Sequence, residues 1–254
     1  MIKEERLDRL TEYAKTKHYV SIDELTKLLG VSRATVRRDL LSLQEHGIVT
    51  LSHGGALYKD SDSHSEPLYF EKSELNIHEK QCIGEIAASL ISPGETVFVG
   101  AGTTTRCMVP FLDALSSFNL VTNDILVAAD STNFTNINVT VTGGQLRKNY
   151  YTLRGFAAEN HVKKLHIDVA FWGMDAIDVN SGCYISNTDE VALIQNVIDS
   201  AEKVVLLCDH SKFRSKAFMM VCPLTKIDVI ITDKSVDSSI VSSLEDQGIE
   251  VILA

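Results

Sequence analysis

VSRATVRRDL (Val31–Leu40) decides how the first part of this 254-residue chain folds. Ser32 stands where a helix cap belongs, and Arg33, Arg37 and Arg38 follow on a helix whose other side is apolar. At about 100° per residue, Val36, Leu40 and Leu43 fall within about 60° of one another and form a buried stripe. Ala34, Thr35, Arg38 and Ser42 point away from it, with Arg37 on one flank and Asp39 on the other. Upstream, SIDELTKLLG (Ser21–Gly30) has Ser21 and Glu24 at capping-box spacing and Gly30 as a stop. Two short helices joined by a tight glycine-containing turn, the second one basic, predict a helix-turn-helix. Such a unit buries one face and offers its second helix to the DNA major groove. On that geometry Thr35 and Arg38 reach base edges, while Ser32, Arg33 and Arg37 meet phosphates.

The flanks complete a small domain. Glu4 to about Lys17 reads as a first helix with Leu7, Leu10 and Ala14 on one face. IVTLSHGGALY (Ile48–Tyr58) alternates apolar and polar residues around Gly54-Gly55. This predicts a hairpin wing that brings His53 and Gly54 to the DNA. The polar, Pro-terminated KDSDSHSEP (Lys59–Pro67) reads as a linker. The expected organisation is a winged helix-turn-helix over residues 1–58, a linker over 59–74, and a second domain over 75–254 that begins with a helical pattern from Leu75 to Ile91.

That second domain alternates helical patterns with apolar runs. The runs are TVFV (Thr96–Val99), NLVT (Asn119–Thr122), NVTVT (Asn138–Thr142), DVAFW (Asp168–Trp172), KVVLLC (Lys203–Cys208), DVIIT (Asp228–Thr232) and EVIL (Glu250–Leu253). Near-continuous Val/Ile/Leu runs predict strands buried on both faces, hence an α/β domain with a largely parallel sheet.

The net charge of −10 divides unevenly along the chain. Residues 1–59 hold ten Lys+Arg and eight Asp+Glu, a net of +2, which leaves fourteen against twenty-six, a net of −12, for the remainder. Only the head is suited to meet phosphate, so the acidic body needs another task. The five cysteines are scattered without CxxC pairing, which suggests neither zinc nor disulfides and fits a reduced cytoplasmic setting. No run of about 20 apolar residues suggests a membrane helix.

Glycine and polar residues gather just after the predicted strands, where open α/β sheets bind ligands. GAGTTT (Gly100–Thr105) puts Gly102, Thr103, Thr104 and Thr105 at a helix start, a source of N–H groups and hydroxyls for an anion such as phosphate. TGGQLR (Thr142–Arg147) brings Gly143, Gly144 and Arg147, and DHSKF (Asp209–Phe213) brings Lys212. Asn123 and Asp175 are candidates to hydrogen-bond sugar hydroxyls. Trp172, at the end of an apolar run, reads as core.

Residues 3–57 resemble the winged helix-turn-helix of the DeoR family of bacterial sugar-metabolism regulators. The residues that carry the likeness are VSRATVRRDLLSLQEHG (Val31–Gly47) and HGGA (His53–Ala56). The rest resembles that family's sensor domain, which is similar to ribose-5-phosphate isomerase folds; DHSKF resembles their Asp-x-Ser-Lys loop. Three positions depart from the family pattern: Leu51 replaces an arginine of the wing, Gly100 an aspartate, and VALIQN (Val191–Asn196) lacks a basic residue. The resemblance implies a homo-oligomeric (dimeric or tetrameric) repressor of a carbohydrate operon, bound to double-stranded operator DNA and released by a phosphorylated sugar. It implies no cofactor and no metal. The competing reading is a sugar-phosphate isomerase carrying a DNA-binding head, with Asp175 and Asp178 as its candidate bases. A dinucleotide-binding redox sensor is a third, for which GAGTTT lacks the third glycine of the fingerprint.

Overall fold

In a computed structural model, which describes residues 3–17, 19–45, 48–52, 54–58 and 66–254, the chain divides into two compact units, Met1–Ser65 and Glu66–Ala254. The first holds α1 (Lys3–Lys17), β1 (Tyr19–Ser21), α2 (Ile22–Leu29), α3 (Arg33–Glu45), β2 (Val49–Ser52) and β3 (Gly55–Tyr58). The predicted caps form. Ser21 accepts the Glu24 amide at 3.2 Å, and Gly30 ends α2 in the left-handed region at φ 65°, where a side chain would be strained. Only half of the capping box is made, because the Glu24 carboxylate accepts from the Tyr13 hydroxyl at 2.6 Å instead. The wing is a three-stranded antiparallel sheet in the order β1-β3-β2, one strand more than the sequence suggested. Gly55 lets β3 lie against β1: a Cβ there would stand 2.3 Å from the Val20 carbonyl oxygen. Leu10, Leu25, Val36, Leu40 and Val49 are fully buried at the centre of the head.

The second unit begins earlier than expected. Residues 66–74 are not linker but belong to it, with α4 at Tyr69–Glu74. There follow α5 (Ile77–Ser89), β4 (Thr96–Val99), α6 (Thr103–Arg106), α7 (Val109–Leu112), β5 (Phe118–Thr122), α8 (Ile125–Asp130) and β6 (Ile137–Val141). A small hairpin, β7 (Gln145–Arg147) and β8 (Thr152–Arg154), precedes α9 (Phe156–Val162) and β9 (Ile167–Trp172). Next come β10 (Ala176–Asp178), β11 (Gly182–Ile185), α10 (Val191–Ser200), β12 (Ala201–Leu207), β13 (Met219–Cys222), β14 (Val229–Thr232), α11 (Ser238–Glu245) and β15 (Glu250–Leu253).

All seven apolar runs become strands of one parallel sheet, ordered β15-β14-β12-β9-β4-β5-β6. Alternate residues feed two cores. Val97, Val99, Phe171, Val205 and Ile231 pack on one face with Ile83 and Ala87 of α5, whereas Phe98, Trp172, Leu206 and Ile230 pack on the other with Leu193 and Val197 of α10. β10, β11 and β13 form a separate antiparallel sheet. The chain winds outward in one direction through β4, β5 and β6, then in the other from β9 onward, so the strand order reverses between β4 and β9. That switch point is where open sheets leave a crevice beyond their carboxyl ends. Among the described residues no helix is long and apolar enough to cross a membrane.

Candidate nucleic-acid interface and effector cleft

α3 carries the first site. Ser32 caps it, its oxygen accepting the Thr35 amide at 3.2 Å and lying 2.9 Å from the Thr35 hydroxyl. Val36, Leu40 and Leu43 are buried and Ala34, Arg37 and Arg38 exposed, as the face count predicts, whereas Thr35 and Ser42, placed on the open face, are half-buried. Among the described residues neither Arg37 nor Arg38 has a hydrogen bond or ion pair, so both guanidinium groups are open to solvent. Arg33 pairs with Asp23 of α2 at 2.8 Å, both side chains about two-thirds exposed (65% and 66%). A pair so exposed is worth little and yields readily to a phosphate. Asp39 is buried rather than on an open flank: Arg6 of α1 donates Nε to one carboxylate oxygen and Nη2, at 3.0 Å, to the other. This clamp fixes how α1 and α3 cross. Gly54 is exposed at the wing turn, and its carbonyl accepts the Ile22 amide at 2.8 Å. Leu51 packs against the head's core. His53 lies outside the described residues.

The second site is a cleft at the switch point of the parallel sheet. Gly102, Thr103 and Thr104 from the loop after β4, Asp175 from the loop after β9 and Lys212 from the loop after β12 line it, with Arg147 of β7. Thr103, Thr104 and Thr105 open α6, and among the described residues their amides meet no acceptor. Lys212 sits in a short turn capped by Asp209, which accepts from the Ser211 amide at 3.0 Å and from Asn76 at 2.8 Å. No hydrogen bond or ion pair engages Lys212 Nζ among the described residues.

Five predicted residues, Thr105, Asn123, Gly143, Gly144 and Asp178, do not line the cleft. Thr105 is fully buried and donates its hydroxyl to the Gly100 carbonyl at 2.7 Å. Asn123 is also fully buried and does not line the cleft: its Oδ1 accepts the Ala101 amide at 2.9 Å and its Nδ2 donates to the Leu153 carbonyl. The adjacent Asp124 caps α8, and burial pushes its carboxyl up to about 6. Gly143 is exposed outside the cleft, and Gly144 makes the turn at φ 108°, so close to β8 that a Cβ would meet the Arg154 carbonyl oxygen at 2.5 Å. Asp178 caps a turn through the Asn180 and Ser181 amides and does not line the cleft.

Sequence reasoning missed Glu66, Tyr69 and Lys72, which wall the cleft from the stretch read as linker, and also Tyr150 and Glu190. Lys72 Nζ donates to Glu66 at 2.6 Å and to Asp175 at 2.7 Å. Arg147 pairs with Glu66 at 2.7 Å and Glu190 at 2.8 Å, and its guanidinium lies 3.6 Å over the Tyr150 ring. Burial disfavours charge on Lys72 and Arg147, but the facing carboxylates outweigh it and both stay above their ordinary range. Burial also works to raise Asp175, yet Lys72 and the Ser186 amide hold it below the usual carboxylate range. Glu190 is pushed up by burial and, in smaller part, by neighbouring Glu66. Among the described residues the buried Tyr69 hydroxyl meets no group in hydrogen-bonding geometry, although the Arg106 guanidinium is near enough to act on it electrostatically. Trp172 lines the cleft floor, stacked on Phe98 at 5.4 Å. Gly100 leaves room for it: a Cβ there would stand 2.4 Å from the indole.

Comparison with known proteins agrees with this two-part layout. Residues 6–62 match the DeoR-like helix-turn-helix domain and residues 75–234 match the DeoR C terminal sensor domain. A "Putative aga operon transcriptional repressor" of Escherichia coli O157:H7 is 32% identical over 98% of this chain and 93% of its own. The HTH-type transcriptional regulator GlpR of Haloferax volcanii is 33% identical over 99% and 98%. Among solved structures, ribose 5-phosphate isomerase A from Methanocaldococcus jannaschii aligns with 54% of this chain and 55% of its own, at 16% identity and a TM-score of 0.40. With a DNA-reading head and a cleft-bearing body matched in chain order, this protein belongs to the DeoR family of DNA-binding transcriptional regulators.

Proposed function

We propose that this regulator represses a carbohydrate-use operon and is released from its operator by a phosphorylated sugar bound in the cleft. The observation that carries the sensing half is the pairing of unsatisfied groups. Thr103, Thr104 and Lys212 line one crevice, and the Thr103 and Thr104 amides and the Lys212 ammonium suit a phosphate there. Arg147 and Lys72, now paired with Glu66, add cations for the same anionic group, while Asp175 and Glu190 supply acceptors for sugar hydroxyls. On the head, Arg38 and Thr35 read base edges, and Ser32, Arg33, Arg37 and the wing tip at His53 and Gly54 hold phosphates. One helix-turn-helix per chain reads one half-site, so the active species is a homo-oligomer, a dimer or tetramer, on double-stranded DNA. The effector acts by preferring one arrangement of heads over another. Relatives named as repressors, the aga protein and GlcR of Bacillus subtilis, favour repression.

The isomerase reading has less support. A general base working near neutral pH needs a raised pKa, whereas Asp175 is held low and Asp178 stands outside the cleft. The test is a thermal-shift screen of sugar phosphates against their unphosphorylated sugars. Stabilisation by a phosphorylated member alone is the expected result. Equal stabilisation by the free sugar would remove the phosphate from the reading.

A further inference from the structure

The ionisable side chains of the cleft form a balanced set, with Lys72, Arg147 and Lys212 facing Glu66, Asp175 and Glu190. Adding a phosphate dianion leaves a confined excess of negative charge unless a carboxylate withdraws. The three carboxylates are not equally anchored. Asp175 also accepts the Ser186 amide at 2.8 Å, and Glu190 also accepts from Asn187 Nδ2 at 3.3 Å. Among the described residues the Glu66 carboxylate has only cations as hydrogen-bond partners: Lys72 on one oxygen at 2.6 Å and Arg147 on the other at 2.7 Å. A carboxylate bridging two cations in a cleft wall occupies what an incoming anion would take.

Glu66 is also the first residue of the second unit. The Tyr150 hydroxyl donates to its carbonyl at 2.7 Å, and the following turn is closed by Glu71 accepting the Leu68 amide at 2.6 Å. We propose that Glu66 is a tethered competitor for the effector's anionic group. Binding of that group displaces the carboxylate from Lys72 and Arg147 and loosens the chain where it enters the sensor unit. The inference rests on reading the cleft as an anion site. It names the side chain through which occupancy reaches the segment leading to the head.

The test uses the full-length protein and inorganic phosphate, with binding followed by emission of the lone Trp172. Glu66→Gln keeps the side chain's size and removes its charge, so it should bind phosphate about tenfold more tightly than wild type. Hydrogen exchange on the wild type gives a second reading that needs no variant. Phosphate should speed exchange across residues 66–72 while slowing it at Thr103–Thr105. Equal or weaker phosphate binding by Glu66→Gln, or slower exchange at 66–72, would overturn the competitor role and leave the anion cleft standing. Absence of phosphate binding by both proteins would remove the anion cleft and this inference with it.

Discussion

Gly100→Ala tests whether the floor of the cleft is as tightly set as the structure has it. The new Cβ would lie 2.4 Å from Cδ2 and Cε3 of Trp172 and 2.9 Å from Cε2. Comfortable carbon contacts need about 3.5–4.0 Å, so the ring must give way by about 1 Å. It has little freedom to do so, being 3% exposed and stacked nearly parallel (10°) on Phe98. Overpacking of this kind costs about 1–3 kcal/mol, and the lower chain entropy of alanine returns about 0.4–1 kcal/mol, since Gly100 is not in the left-handed region. The net loss is about 1–2 kcal/mol, and at about 2–4 °C per kcal/mol the second unit should melt roughly 2–8 °C lower. Strain also reaches the anion loop, because the Gly100 carbonyl accepts the Thr105 hydroxyl that holds α6 in place. Thermal melting and Trp172 emission are the assays. Gly173→Ala is the control, its Cβ meeting only the Leu207 carbonyl oxygen at 3.6 Å. A Gly100→Ala protein that melts with wild type and keeps the same emission maximum would show that the indole has room, and the reasoning would fail.

Other expectations follow from the two sites. Arg38→Ala should cost about 1–3 kcal/mol on the cognate operator and relax selectivity, whereas Arg33→Ala should weaken cognate and random DNA alike and lower the salt slope by about one; anisotropy titrations at several salt concentrations separate them. Lys212→Ala should leave DNA affinity without effector unchanged and abolish release by sugar phosphate; normal release from the mutant–operator complex would make Lys212 a bystander. Burial raises Asp124 from 3.8 to about 6, so its ionisation opposes folding above pH 6 and this term stabilises the second unit as pH falls from 7 towards 4. The shift corresponds to about 3 kcal/mol, and Asp124→Asn should flatten that part of the stability–pH curve in denaturant titrations.

The head was legible almost residue by residue because short-range rules govern it. Ser32, Gly30 and the Val36/Leu40/Leu43 stripe act within a turn or two of chain. The exceptions needed a distant partner. Nothing near Asp39 in the sequence announces Arg6, and nothing near Glu24 announces Tyr13. In the second unit the seven strands were legible because burial on both faces demands unbroken apolar runs. The order that creates the switch point was not, since strand neighbours are chosen by packing across the whole sheet. The short strands β7, β8, β10, β11 and β13 escaped for a different reason. Three or four residues such as Gln145–Arg147 are too few to show a period.

The cleft was half legible, and the missing half has one cause. A polar residue after a strand advertises a hydrogen bond but not its partner. Asn123 and Thr105 spend theirs on the Ala101 amide and the Gly100 carbonyl, shaping the loop that Thr103 and Thr104 expose. Glu66 and Lys72 posed the reverse problem. Glu66 is the glutamate of KDSDSHSEP and Lys72 follows it, in a stretch whose charge and proline read as solvated linker. Their charges are tolerable inside the unit because each meets an opposite charge from far along the chain: Arg147 for Glu66 and Asp175 for Lys72. A linker-like composition is therefore what a segment shows when its purpose is to bring charge to a site completed elsewhere. The match to the family's sensor domain starts at residue 75 and so leaves out Glu66, Tyr69 and Lys72, which wall the cleft.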